Sequence, residues 1–89
     1  MATVVVQIKV KNFAEWKPVF HLGSELRESN GELSHKVYQD SSDANKVTIV
    51  YAWSSLAVAQ KFFVSPELKA LMDKAGVQGP PSISFLNEV

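Results

Sequence analysis

Cysteine is absent from the 89 residues, which removes disulfides, thiolate metal sites, CxxC redox chemistry and a cysteine nucleophile together. An excess of either charge is absent too. Nine Lys and Arg balance nine Asp and Glu, for a formal net charge of zero. Nucleic acids call for a basic surface that displaces counterions, so no nucleic-acid partner is expected. Nor is there net repulsion to hold copies of the chain apart. Histidine occurs only at His21 and His35, too few for a metal centre without carboxylates at ligand spacing, so no metal is expected. The chain has no Gly-rich phosphate loop, GxSxG, HExxH or EF-hand pattern. The apolar run at the N-terminus is far too short to cross a membrane and no basic leader precedes it, which points to a soluble, cytoplasmic protein with no membrane partner.

What is present is a regular pattern of apolar stretches. Residues 46–53, Lys46-Val47-Thr48-Ile49-Val50-Tyr51-Ala52-Trp53, suit a pleated, half-buried surface and contain no Gly or Pro, which predicts a central strand. Both alternating sets are largely apolar, so both faces of this strand are expected to be covered. Residues 3–10 alternate Val4/Val6/Ile8/Val10 against Thr3/Val5/Gln7/Lys9, a first strand with one apolar and one mixed face. Asn12 with Glu15 three positions on is a capping box. Pro18 argues for a short first turn at 13–17 and a main helix from 18 to about 29, ended by Asn30-Gly31. Phe13, Trp16, Phe20, Gly23 and Leu26 fall on one stripe of it.

Residues 32–39 are a weaker, more polar strand of the kind that suits a sheet edge. The turn-rich segment 40–45 folds the central strand back on it as a hairpin. Ser54 or Ser55 caps a helix to about 64. Ser65-Pro66-Glu67 restarts it with a cap, a first-turn proline and an acid at the positive end of the dipole. Leu68, Leu71, Met72 and Ala75 form the apolar stripe of this second segment, and Gly76 stops it. Pro80-Pro81 leads into a last strand at 82–86. The order strand, helix, strand, strand, helix, strand is the split βαβ, ferredoxin-like unit. It is one α+β domain, residues 1–89, with an antiparallel four-stranded sheet and two helical regions on one face. The helices are expected over Val4, Val6, Ile8 and Val10. The opposite face is left apolar and open, which predicts a homodimer through the sheet face.

Phe13-Ala14-Glu15-Trp16-Lys17-Pro18-Val19-Phe20, then Gly31, residues 47–53, Ala59, Phe62, Ser65-Pro66-Glu67-Leu68, Met72 and Ala75-Gly76-Val77 resemble the dimeric α+β barrel superfamily. Within it, the chain is most similar to small antibiotic biosynthesis monooxygenase-like proteins. The resemblance implies two sheets packed into a barrel, with a pocket between each sheet and its own helices. It also implies a range of activities, from cofactor-independent oxygenation of quinol-like aromatics to haem degradation and isomerisation. The haem degraders use a helix-borne histidine, and residues 56–75 contain none, so no cofactor is expected. The oxygenases are associated with Asn, Trp and Arg in the pocket. Here Asn12, Asn30, Asn45 and Asn87 all fall at turns or ends.

Trp16, Phe20, Tyr51, Trp53 and Met72 are the candidate walls of a pocket for a small hydrophobic, aromatic compound. Core filling explains the same residues, since a domain of this size needs its aromatics for burial. His35 or Tyr38 is the candidate proton-transfer group. Strand parity puts these two on opposite faces, so at most one points inward. His21 is expected in solvent. Arg27, the sole arginine, either anchors an anionic substrate or only pairs with Glu28 or a neighbouring strand residue, and a surface or interface position is expected for it. Two functional readings remain: a cofactor-free, monooxygenase-like or isomerase-like enzyme, and a non-catalytic ligand-binding or structural dimer.

Overall fold

The computed structural model describes residues 2–89. Four strands form one antiparallel sheet: β1 (Ala2–Val10), β2 (Glu32–Asp40), β3 (Asp43–Trp53) and β4 (Val77–Leu86), in the order β2-β3-β1-β4. Four short helices connect them: α1 (Phe13–Leu22) and α2 (Ser24–Ser29) between β1 and β2, and α3 (Leu56–Phe63) and α4 (Pro66–Lys74) between β3 and β4. This is the ferredoxin-like α+β arrangement, with the two strands richest in β-branched residues at the centre. Val4 lies opposite Tyr51, Val6 opposite Ile49 and Ile8 opposite Val47, so the alternation of each strand adds to that of its neighbour. These residues form the buried core with Ala2, Val10, Trp16, Phe20, Trp53, Ala59, Phe62 and Phe63. The opposite face of the same two strands carries Thr3, Val5, Thr48, Val50 and Ala52, all partly exposed.

The helix starts follow their caps. Asn12 accepts the backbone N–H of Glu15 at 3.1 Å, and Ser55 and Ser65 accept those of Val58 and Leu68 at 3.2 and 3.3 Å. In α1 the proline reading is corrected: the helix runs unbroken from Phe13 through Pro18 to Leu22. Pro18 and Ala14, whose carbonyl loses its i+4 donor, are both exposed, so that carbonyl is open to solvent and the lost bond costs little. The break falls instead at Gly23, where a Cβ would stand 3.0 Å from both Arg27 Nη1 and Leu71 Cδ2. That absence of a side chain lets Leu71 of α4 close over the junction between α1 and α2. Gly31, at φ +111, lies over Trp53, and a Cβ there would meet Nε1 of the indole at 2.8 Å. The last strand also begins earlier than Ser82, at Val77, with Pro80 and Pro81 inside it. Proline is tolerated because β4 is an edge paired only with β1, across an irregularity between Gln7 and Lys9.

Candidate functional site

The edge strand β2 contains the feature that builds the site. Its register against β3 shifts by one residue, with Glu32 opposite Trp53, Ser34 opposite Ala52 and His35 opposite Tyr51. Leu33 is the extra residue and is turned out to solvent. Without this bulge Glu32 and His35, three apart, would lie on opposite faces. With it both point to the helix side, where the Nδ1 of His35 is 3.3 Å from Oε1 of Glu32.

Glu32 is shared. Nε of Arg27 donates to the same Oε1 at 2.9 Å, and the two side chains are 4% and 3% exposed. Arg27 was expected at a surface or interface. It is instead the one buried cation among the described residues, because of the two pairings expected it makes the one with a strand residue, Glu32 at the start of β2, and not the one with Glu28. Nη1 of Arg27 donates to the Phe20 carbonyl at 2.8 Å. Its Cζ lies 3.9 Å from the centroid of the Phe20 ring, which in turn stacks on Trp16 with centroids 4.8 Å apart. Packing the guanidinium between an aromatic face and a carboxylate satisfies most of a charge that would otherwise be costly to bury.

Beside this network lies a cavity of about 50 Å³ between sheet and helices, bordered by Trp16, Phe20, Arg27, Tyr51, Phe63 and Met72 together with aliphatic side chains of α4 and β3. Tyr51 is buried there, and loss of hydration pushes its hydroxyl well above the usual tyrosine range, so it stays a neutral phenol. A wider cleft of about 520 Å³ opens over β4, and Phe63 and Met72 border both spaces.

The expected site residues therefore divide. Trp16, Phe20, Tyr51 and Met72 meet at the cavity. Trp53 does not: it is 0% exposed, stacked on Phe62 under α3, with its indole N–H donated to the Asn30 carbonyl at 2.8 Å. His35 is on the inner face, edge-on to Phe20 with ring centroids 5.0 Å apart. Tyr38 is on the outer face, 51% exposed, and has no path to the cavity. His21 is exposed. Glu32 was missed altogether. Its only sequence signal is an acid at the start of a strand just after the helix that carries the sole arginine.

A βαββαβ chain with a helix-roofed cavity defines a broad class, and comparison with solved structures narrows it. An antibiotic biosynthesis monooxygenase superposes with a TM-score of 0.75 at 16% identity, covering 100% of this chain and 99% of the other. SnoaB, a cofactor-independent oxygenase from Streptomyces nogalater, gives 0.79 at 14% identity, covering 99% and 92%. A monooxygenase from the gene ActVA-Orf6 of Streptomyces coelicolor, in complex with nanaomycin D, gives 0.68 at 23%, covering 99% and 87%. The chain thus has the fold of the antibiotic biosynthesis monooxygenases. No family model and no curated protein matches it in sequence. Among the described residues no helix is long and apolar enough to cross a membrane.

Proposed function

We propose that this protein is a homodimeric, cofactor-independent, monooxygenase-like or isomerase-like enzyme for a small hydrophobic, aromatic compound. The observation that carries the reading is the apolar cavity between helices and sheet, with Arg27 on its border and Glu32 and His35 joined to Arg27 behind it. It is supported by a fold shared with SnoaB and with the nanaomycin D complex. In this reading Trp16, Phe20, Tyr51 and Met72 hold the substrate. His35 accepts a proton from it, oriented by Glu32, and leaves an anion more easily oxidised than its parent. Tyr38 takes no part. The dimer forms through the outer sheet face, where Val5 lies opposite Val50 and Thr3 opposite Ala52 with no helix over them.

One observation favours a second reading, a non-catalytic ligand-binding or structural dimer. A space of about 50 Å³ is well below the roughly 300–1,000 Å³ of sites for drug-sized ligands. The test is a thermal-shift screen of quinones and flavonoid-like aromatics against wild type and Ala75→Val, which fills the cavity from α4. A saturable upward shift lost in the variant, followed by oxygen uptake that His35→Gln abolishes, supports the enzyme. Binding without turnover in wild type supports the second reading, and no shift with any compound removes the cavity as a ligand site.

A further inference from the structure

Arg27 has three nitrogens, and only two are used. Nε is donated to Glu32 and Nη1 to the Phe20 carbonyl, while Nη2 is buried with no hydrogen-bond partner among the described residues. The side chain is 4% exposed and borders the cavity. Buried donors without acceptors are rare in folded proteins and concentrate where something else supplies the acceptor. We infer that Nη2 of Arg27 is the polar anchor of the cavity's ligand, and that the ligand presents to it a neutral carbonyl oxygen, as in a ketone or quinone carried on an aromatic body. This rests on the reading of the cavity as a binding site.

Three features select that ligand class. The charge of Arg27 is already matched by Glu32 at 2.9 Å, so a carboxylate would bring an uncompensated charge into a site with little access to water, whereas a carbonyl brings only an acceptor. The guanidinium plane is pinned on the Phe20 ring and by two hydrogen bonds, so Nη2 is fixed in direction before any ligand arrives. Lysine also has three donors, but all sit on one nitrogen of a flexible stem, so it does not spread them over the fixed planar fork that reaches Glu32 and the Phe20 carbonyl and leaves a third nitrogen held in place. The size of the space is met from the neighbouring cleft. Phe63 and Met72 border both, and Met72, with three rotatable bonds, turns aside most easily. The oxygen then leads inward to Arg27 and the ring follows from the cleft.

The test uses three probes, each followed by the NMR resonance of the Trp16 indole. Acetophenone carries the carbonyl, α-methylstyrene replaces its oxygen with a CH₂ in the same outline, and benzoate carries a charge. The proteins are wild type, Arg27→Lys, and the paired variant Arg27→Met with Glu32→Gln, which keeps the site neutral if the single variant fails to fold. Wild type is expected to bind acetophenone on the order of ten- to hundredfold tighter than α-methylstyrene, the value of a hydrogen bond to a charged group. Benzoate is expected to do no better than the hydrocarbon, and the preference is expected to vanish in the variants. Equal binding of acetophenone and α-methylstyrene would overturn the anchor while leaving the cavity a ligand site. Benzoate as the tightest of the three would overturn the neutral-carbonyl assignment, and a preference that survives both variants would overturn Arg27 as its source. Binding of none would remove the anchor and the cavity reading together.

Discussion

Along β3 the side chains of Val47, Ile49, Tyr51 and Trp53 are sealed under the helices, whereas Thr48, Val50 and Ala52, one position away on the same strand, are half-exposed. Both sets are predominantly apolar, so composition does not separate them. Coverage does: α1 to α4 all lie on one side, and none of the described residues returns across the other. The covered side is dense enough in aromatic contacts, from Trp16–Phe20 to Trp53–Phe63, to take in a charged network, provided that network is nearly complete. The uncovered side carries only neutral groups at its centre, with Lys36, Tyr38 and Leu86 towards its margins. One side is finished within the monomer, and the other is suited to a second copy.

The comparison breaks most visibly if the covered side is opened. Trp53→Ala removes a fully buried indole and its hydrogen bond to Asn30 and is expected to cost about 3–5 kcal/mol, read as a lowered denaturant midpoint. Arg27→Met is expected to cost a similar amount, about 3–5 kcal/mol, because it leaves the buried Glu32 without its cation and with only His35 beside it. Adding Glu32→Gln to that variant should recover most of the loss. If the single and paired variants unfold at the same denaturant concentration, the cost comes from lost packing against Phe20 and not from the stranded charge.

The uncovered side is tested by Val50→Lys. Lysine at the centre of a solvated sheet face leaves the monomer folded, but across an apolar dimer contact it places two uncompensated ammonium groups. The expected result is a folded monomer by sedimentation at a concentration where wild type is dimeric. A wild type that sediments as a monomer at micromolar concentration would instead remove the outer face as an interface.

Much of this contrast was legible in the sequence. The alternation of Val4, Val6, Ile8 and Val10 and the run at 46–53 placed the sheet and its inner face, and Asn12, Ser55 and Ser65 sit at helix starts as their side-chain chemistry requires. The errors have physical causes. Pro18 was read as a helix boundary because the rule weighs the lost N–H and the steric clash, not whether water reaches the freed carbonyl. Pro80-Pro81 was read as preceding the last strand because proline disfavours a strand interior, a rule that relaxes on an edge. Glu32 escaped notice, and Arg27 was placed at the surface, because a single-residue bulge at Leu33 sets the face on which Glu32 and His35 meet, and bulges leave no mark in hydrophobic periodicity. The cavity is a matter of how side chains interlock, which no pattern along the chain encodes.

The two tyrosines give a finer probe of the same contrast, through pH. Tyr51 is 4% exposed, and burial raises its hydroxyl pKa above the unfolded value. The unfolded chain releases this proton near pH 10 while the folded chain keeps it, so the unfolded state binds fewer protons there and stability falls as pH rises. The stabilisation due to keeping Tyr51 neutral is thus fully present below about pH 10 and is lost progressively above it. Urea midpoints measured on either side of that pH should drop for wild type, and Tyr51→Phe should flatten the drop. A decline of the same size in Tyr51→Phe would assign it to other groups.

Tyr38 should give the smallest effect. Its ring is 51% exposed on the outer face of the edge strand, opposite Thr48, so Tyr38→Ala removes little buried area within one chain. At protein concentrations low enough to hold the monomer, its denaturant midpoint should match wild type to within about 0.5 kcal/mol, as for most surface substitutions. Raising the concentration separates the two cases. If Tyr38 contributes to a contact between sheets, wild type gains stability with concentration and the variant gains less. If the difference between them is the same at every concentration, the ring belongs to the monomer alone, and the uncovered face is narrower than the strip formed by Val5, Val50 and Ala52 together with its Tyr38 margin.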